Sequence, residues 1–315
     1  MPTTQVMETA LGACPVCGET ATQPFVIEGR DRLEGTPGEF AVVTCASCGA
    51  GRTLPPVATH ELGRFYTAGY RAHALRRDGL YARLRDLGQR LRWRSELRRF
   101  PLDALAETPG SVLDVGCGHG DLGAALVARG WSVAGLDPST QAVENARARG
   151  IDAHVGTIAD ADLGDASFDV VTMLHSLEHV VSPLDDLRSA HARLRPGGLL
   201  IVVLPNYGCW QRKRMGSRWF HLDLPRHRTH FTEAALRHAA EQAGFVDVRT
   251  ADAGDPGALI GTLQYRFYDR IVLGSGWRSA LWQFAASLLA PAIAVLDRMA
   301  GERDLLCMTA RRPDA

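Results

Sequence analysis

A glycine-rich turn between a short apolar run and a helical pattern is the feature that most constrains the fold of this chain. The run Val112-Leu113-Asp114-Val115 leads directly into Gly116-Cys117-Gly118-His119-Gly120. From there to about residue 309, short apolar runs alternate with helical patterns. Such alternation is typical of a parallel sheet with helices on its faces. The sequence therefore predicts an α/β fold with a ligand site at the glycine turn.

The predicted elements follow from this alternation. Glycines at 130, 150 and 244 stand where helix C-caps are expected. The predicted strands are 112–115, 132–136, 153–155, 168–174, 199–204, 245–249 and 305–309, and the predicted helices are 121–129, 140–149, 184–194 and 233–243.

The glycine turn must be distinguished from a dinucleotide site, because Gly118 to Gly123 also fits the pattern GxGxxG. Asp114, at the end of the strand, would repel an anionic pyrophosphate. Gly116 also stands two residues earlier than the dinucleotide pattern begins. The turn is better suited to a cationic ligand that carries an amino acid.

The segment around residues 112–120 resembles motif I of the class I S-adenosylmethionine-dependent methyltransferases. Residues 133–137, 168–171 and 194–200 resemble the second strand, the fourth strand and the turn before the fifth strand of that family. The resemblance implies a seven-stranded, mostly parallel Rossmann-like sheet over residues 109–315. Two insertions are expected in it, a lid at 206–231 and a helical segment at 255–303.

The resemblance also implies how S-adenosylmethionine (SAM) is bound. Gly116 and Gly118 would let the backbone approach the ligand, and Asp137 would accept the ribose hydroxyls. Asp114 would support the loop or the methionine ammonium group. Thr157 and Ile158 are expected to flank adenine, and His175 is expected to lie beside the methyl group. The predicted cofactor-binding residues are Asp114, Gly116, Gly118, Asp137, Thr157, Ile158 and His175.

Histidines follow the fourth strand and recur in the lid. Residues 173–180 resemble the LEH segment of ubiquinone-type and sugar-type small-molecule methyltransferases, and residues 224–231 resemble the PRHxxHF element of a subset of them. Histidine is a plausible base because its pKa lies near neutrality. Purely structural roles stay open for these histidines. Glu178 and His179 could bind substrate or a metal, or they could cap the next loop and hold its shape. The predicted catalytic residues are His175, His179, His227 and His230.

Two matching CxxCG segments lie near the N-terminus, Cys14 with Cys17 and Cys45 with Cys48. Four thiolates at this spacing can surround a zinc ion with no position left open, which predicts a structural zinc ribbon over residues 1–58. The alternatives are four buried thiols or, less favoured, a redox pair.

An arginine-rich segment over residues 59–108 is predicted to form a helical linker or cap. Residues 64–99 hold 11 arginines against three acidic residues, although the whole chain has zero net charge. The alternative is therefore an RNA methyltransferase that holds RNA with the ribbon and these helices. Few aromatic residues for stacking and no Asn/Asp-Pro-Pro-Tyr element after the fourth strand make nucleic acid the less favoured partner. A non-catalytic module is disfavoured by the complete glycine loop.

The expected reaction is O- or N-methylation of a small molecule, such as a secondary metabolite, a sugar or an envelope component. The combination of a zinc ribbon with this fold also resembles the sugar C-methyltransferases. Those enzymes have a further C-terminal domain, which is not expected in a sequence of 315 residues. The basic lid suggests an anionic or carrier-linked acceptor. The apolar stretch 257–302 could pack on the sheet, join a homodimer, line the substrate or touch a membrane surface. No signal peptide is recognised, so a cytoplasmic location is expected.

Overall fold

The computed structural model describes residues 12–66, 108–161, 163–271 and 297–314, together with residues 292 and 295. Most of the predicted arginine-rich helical segment and residues 272–291 of the C-terminal insertion lie outside these ranges. The strands are β1 Thr22–Gly29, β2 Phe40–Cys45, β3 Gly51–Leu54, β4 Ser111–Val115, β5 Ser132–Asp137, β6 Asp152–Val155, β7 Phe168–Leu174, β8 Leu194–Pro205, β9 Thr229–His230, β10 Val246–Ala253 and β11 Leu305–Arg311. The α-helices are α1 Thr59–Leu62, α2 Asp121–Val127, α3 Thr140–Arg147, α4 Pro183–Arg193, α5 Trp210–Met215, α6 Glu233–Gln242 and α7 Pro256–Tyr268.

The larger sheet has seven strands in the order β10-β11-β8-β7-β4-β5-β6. β11 runs antiparallel to both of its neighbours, and the pairs from β8 to β6 are parallel. This confirms the predicted Rossmann-like, mostly parallel sheet. The chain order reverses between β4 and β7, and ligands of open α/β sheets bind beyond the carboxyl ends of strands at such a point.

Each predicted strand and helix of this sheet region is found, with boundaries that differ by a few residues. The largest shift is in β8, which begins at Leu194, five residues before the predicted start. Leu194 pairs with Phe168 ahead of a register irregularity, so the predicted turn around Gly197 belongs to the strand. Within β8 every residue from Leu199 to Pro205 is buried, as expected for a central strand covered on both faces.

Helices cover both faces of this sheet. α4 and α6 bury Leu187 and Leu236 in one apolar cluster, and α2 and α3 bury Leu126 and Val143 in another. α3 and α6 each begin at a residue whose hydroxyl accepts a backbone N–H of the first turn. Within the described residues, every helix is too short or too polar to span a bilayer.

The N-terminal strands form a second sheet in the order β1-β2-β3-β9. Its last strand comes from the predicted lid, with Gly51 opposite His230 and Arg52 opposite Thr229. A side chain at Gly51 would lie 2.9 Å from Val42 and about as close to His230, which explains the glycine here. The cysteine-containing segment and the lid therefore share one hydrogen-bonded sheet.

Candidate functional site

The glycine loop after β4 is held by backbone hydrogen bonds. The N–H groups of Gly116 and Cys117 donate to the Leu136 carbonyl at the end of β5, at 2.7 and 2.9 Å. Gly116 has φ +78°, and a Cβ atom built there would lie 2.6 Å from Cβ of Ser176. The loop therefore packs directly against the segment that follows β7, and only glycine fits.

Asp137 ends β5 beside the loop. One carboxylate oxygen accepts the Gly118 N–H at 2.9 Å, and the other accepts the Ser139 N–H at the same distance. Each carboxylate oxygen can accept a further hydrogen bond. The side chain is thus positioned at the rim of the loop, where ribose hydroxyls are predicted to bind.

Asp114 lies beneath the loop and is 3% exposed. Burial raises the pKa of its carboxyl to about 6, although the Thr172 hydroxyl donates to it at 2.7 Å. The two residues predicted to flank adenine differ in placement. Thr157 is exposed and donates to Asp160 at 2.7 Å, whereas Ile158 is buried in the apolar core beside the sheet.

The turn after β7 holds two predicted site residues. His175 has a left-handed backbone with φ +52°, which is rare for a non-glycine residue and often found at functional sites. Its Nδ1 lies 3.5 Å from Oε1 of Glu178, a carboxylate that is only 2% exposed. Burial alone would raise the pKa of Glu178, but His175, with His179 and His227, lowers it to about 2.

The lid is attached to this turn by its backbone. The carbonyl of Glu178 accepts the N–H groups of Arg228 and Thr229, at 2.8 and 3.2 Å. His227 is thereby placed beside Glu178, with Nε2 3.9 Å from Oε1. The predicted catalytic residues His179 and His227 are also in contact, with ring centroids 4.6 Å apart.

His227 and His230 are both buried, and burial lowers their pKa values to about 4 and about 3. The Thr53 hydroxyl donates to the His227 carbonyl at 2.6 Å and lies 3.0 Å from Nε2 of His230. Because the single hydroxyl hydrogen goes to the carbonyl, Nε2 of His230 is the donor to Thr53. His230 therefore joins β9 to β3 through its side chain.

Arg226 connects the lid to the N-terminal segment and is fully buried. Its guanidinium donates to both oxygens of Asp31, at 2.7 and 3.2 Å, and to the Phe65 carbonyl at 2.7 Å. It also donates twice to Oδ1 of Asp223. All of its N–H groups therefore have acceptors inside the protein.

Four cysteine sulfurs lie together at the turns of the smaller sheet. The Sγ atoms of Cys14 and Cys48 are 3.6 Å apart, as are those of Cys17 and Cys45, and all four lie within 4.8 Å of one another. Bonds of 2.3 Å to a tetrahedral zinc ion would place sulfurs about 3.8 Å apart. The four predicted metal ligands are therefore close to the geometry that zinc requires.

Both cysteine turns have the same backbone. Gly18 donates to the Cys14 carbonyl and Gly49 donates to the Cys45 carbonyl, with φ of +76° and +74°. This repetition fits the predicted pair of metal-binding turns.

Several residues at the site were not predicted as site residues. Tyr66 contacts His179 at 3.4 Å, and burial raises the pKa of its hydroxyl. His221 lies 3.4 Å from the buried Asp304, which belongs to a distant part of the chain. No local motif could have indicated these pairs, because they are joined only by the fold. The residues added by the structure are Asp31, Tyr66, His221, Asp223 and Asp304, and Glu178, for which the sequence left several roles open, is placed at the centre of the histidines.

Some of the basic residues of the lid have partners within the protein. Arg212 donates to the Tyr207 carbonyl and lies over the Tyr207 ring, and Lys213 pairs with Glu302. Together with the buried Arg226, three of its six basic residues are thus held within the fold. An anionic acceptor stays a prediction.

Comparisons with known proteins agree with this architecture. Residues 84–250, more than half of the chain, match the profile of a family described as a methyltransferase domain. A ubiquinone biosynthesis O-methyltransferase of Histophilus somni is 31% identical over 156 residues, which is 44% of this chain and 66% of that protein. An uncharacterised 37.1 kDa protein of a Streptomyces fradiae transposon is 40% identical over 115 residues, 34% of this chain and 33% of that protein.

The chain spans between a third and two thirds of the length of these curated relatives. Among solved structures, a SAM-dependent methyltransferase of Thermotoga maritima, described as a possible histamine N-methyltransferase, is 19% identical with a TM-score of 0.47. That match covers 72% of this chain and 97% of the other.

Proposed function

Because this chain belongs to the class I methyltransferase-domain family, we propose that it transfers the methyl group of SAM to a small-molecule acceptor. The observation that carries the proposal is the packing of the Gly116 loop against Ser176. This contact joins the predicted cofactor loop to the turn that holds His175 and Glu178. Donor and acceptor would then meet at the carboxyl ends of β4 and β7.

SAM is proposed to bind along the glycine loop. Gly116 and Gly118 allow the close approach of the ligand, and Asp137 offers its carboxylate to the ribose hydroxyls. Asp114 supports the loop from below, and Thr157 and Ile158 follow β6 at the adenine end. The described contacts of Asp137 with Gly118 and Ser139 support this assignment, because they fix the carboxylate at the rim of the loop.

The chemical step is a direct displacement. A lone pair of the acceptor forms a bond to the methyl carbon, and the bond from that carbon to sulfur breaks. Its electron pair stays on sulfur, which yields S-adenosylhomocysteine, and the acceptor's proton passes to a base. The protein contributes mainly by aligning the reactants and by accepting this proton.

His175 is proposed as the base. Its side chain is 45% exposed beside the loop, and Nδ1 faces the Glu178 carboxylate. A carboxylate only accepts, so Nδ1 carries the hydrogen and Nε2 has the lone pair that can take a proton. His179, His227 and His230 are then residues that shape the site.

An oxygen acceptor is favoured by the relatives named as ubiquinone biosynthesis O-methyltransferases. The RNA alternative depended on the arginine-rich segment, most of which lies outside the described residues, and no comparison supports it. An anionic or carrier-linked acceptor, a homodimer and contact with a membrane surface stay predictions. A cytoplasmic location stays a prediction.

The four clustered cysteines are proposed to bind a structural zinc ion. Their sulfur spacing and the paired turns support this, and protein ligands would fill all four positions. Zinc would stabilise the cysteine turns of the smaller sheet, whose buried apolar residues are shared with the lid.

The test measures cofactor binding and methyl transfer separately. S-adenosylhomocysteine is titrated calorimetrically into the wild type and Asp137→Ala, and methyl transfer from isotope-labelled SAM is followed by mass spectrometry over phenols, catechols, nucleotide sugars and RNA. We expect binding by the wild type that is lost in Asp137→Ala. We also expect labelled product from one class of small molecule.

A matched pair of histidine variants tests the base. His175→Ala is expected to lower kcat by roughly 10²–10⁴-fold, more than it changes cofactor affinity. His154→Ala, at an exposed histidine on β6, should change neither. Label in RNA alone, or wild-type affinity in Asp137→Ala, would contradict the proposal.

A further inference from the structure

Glu178 is a buried carboxylate without a fixed counter-charge. Among the described residues, its oxygens have polar contacts to ring nitrogens of His175 at 3.5 Å and His227 at 3.9 Å, both longer than an ordinary hydrogen bond. The described residues place no lysine or arginine within salt-bridge distance of it. A buried carboxylate is costly unless it is paired or coordinates a metal. The site therefore has a place for a cation.

The orientation of His227 points to the same place. Its Nδ1 lies 2.8 Å from the His221 carbonyl, and a carbonyl only accepts, so Nδ1 carries the hydrogen. Nε2 then has the lone pair, and it faces Oε1 of Glu178 at 3.9 Å and Oδ2 of Asp223 at 3.8 Å. A lone pair directed at carboxylate oxygens is repelled by them unless a positive charge lies between.

His179 is held in the same tautomer. Its Nδ1 lies 3.1 Å from the Arg226 carbonyl, so Nδ1 is again the donor and Nε2 has the lone pair. Metal-binding histidines typically donate their other N–H to a carbonyl or carboxylate, which fixes the ring and its tautomer. Both histidines thus have the second partner that metal ligands require.

The three groups are also close enough to share one ion. One ligand atom from each of Glu178, His179 and His227 lies within 4.8 Å of the others. Bonds of about 2.1 Å would bring such atoms to roughly 3–3.5 Å, an adjustment of at most about 1.8 Å. The Glu178 carbonyl, which accepts two N–H groups of the lid, already holds the two ligand-bearing segments together.

We propose that Glu178, His179 and His227 bind a divalent first-row transition-metal cation, distinct from the cysteine site. Two imidazoles and one carboxylate are a donor set for such ions, whereas Mg²⁺ prefers oxygen ligands. Three protein ligands leave positions open for small molecules. In a role that rests on the proposed function, the cation would bind the acceptor's oxygen and lower the pKa of its hydroxyl.

The test uses Co²⁺ as the probe on full-length protein whose cysteine site has been loaded with zinc. Equilibrium dialysis counts the bound cobalt, and absorption spectra report its ligands. We expect one Co²⁺ per chain, with weak visible bands and no thiolate-to-cobalt charge-transfer band. A charge-transfer band would mean that cobalt had replaced zinc at the cysteines, and would overturn the proposal if it accounted for all bound cobalt.

The variant Glu178→Gln keeps the shape of the side chain and removes its charge. Because it removes one ligand of three, Co²⁺ affinity should fall at least about 100-fold. His179→Gln, at a less buried ligand, gives the same test if the first variant does not fold. His154→Ala is the matched control, since it removes a histidine that pairs with Asp152 on the surface, and it should bind cobalt like the wild type.

The outcomes separate this site from the proposed function. Protein that binds S-adenosylhomocysteine and transfers methyl groups but takes up no cation besides zinc overturns the cation site alone. Protein that binds one Co²⁺ in a manner dependent on Glu178, but does not bind S-adenosylhomocysteine, supports the site and contradicts the proposed function.

Discussion

The buried pair between Asp31 and Arg226 is expected to be a principal link between the N-terminal sheet and the lid. Asp31 is 2% exposed, and its oxygens accept two hydrogen bonds from Arg226. They also accept three backbone N–H groups of its own loop, from Leu33, Glu34 and Thr36. Asp31→Asn keeps the shape of the side chain, but it removes the charge and replaces one acceptor oxygen with a donor.

The expected loss follows from burial. Breaking a buried ion pair by changing one partner costs about 3–5 kcal/mol, since the other charge loses its compensation. Arg226 keeps Asp223, so the lower end applies, about 3 kcal/mol in the free energy of unfolding. At roughly 2 °C per kcal/mol for a chain of this size, Tm should fall by about 6 °C.

Urea denaturation followed by circular dichroism measures this difference. Asp269→Asn is the matched control, because Asp269 pairs with Arg30 and Arg32 but is 41% exposed. Exposed pairs contribute about 0–1 kcal/mol. If Asp31→Asn lost no more stability than Asp269→Asn, the idea that the buried pair joins lid and N-terminal sheet would be wrong.

Three further perturbations test other parts of the structure. Chelation of the zinc proposed at the cysteines should loosen the smaller sheet and lower hydrogen-exchange protection at Thr53, whose N–H donates to the Arg228 carbonyl of the lid at 3.0 Å; retained protection would show that zinc does not support this junction. Gly116→Ala, which adds backbone strain and a clash with Ser176, should weaken calorimetric S-adenosylhomocysteine affinity by ~10-fold or more, and unchanged affinity would contradict the placement of the ligand along this loop. Burial raises the pKa of Asp114 from 3.8 to about 6, so its stabilising contribution is complete below the lower value and is lost as the pH rises through the higher one. Relative to wild type, Asp114→Asn should therefore gain about 2 kcal/mol in unfolding free energy between about pH 4 and pH 7, and a pH-independent difference would contradict this pKa shift.

Regular elements were predictable because each one follows from a local pattern. The run from Val112 to Val115 ends at glycines that a tight turn requires, and the helix 233–243 shows its apolar spacing directly. The four cysteines were recognisable for the same reason, since their spacing within each pair and the glycine after it are local.

The composition of the histidine site was only partly predictable. His175 and His179 lie in a recognisable segment, but their partners come from other parts of the chain. Asp304 reaches His221 only because β11 lies beside β8, and Thr53 reaches His230 only because β9 joins β3. Such contacts depend on strand order and burial, which periodicity does not encode. The sequence likewise predicted a ribbon and a lid as separate features, whereas they share a sheet.

The most direct test of the central claim is the stoichiometry of cofactor binding. Native mass spectrometry of the purified chain, saturated with S-adenosylhomocysteine, should show one bound molecule per chain for the wild type. The same measurement on Asp137→Ala should show none at equal concentration. Equal occupancy of the two proteins, or no binding by the wild type, would contradict the assignment of the loop at Gly116 and Gly118 as the SAM site.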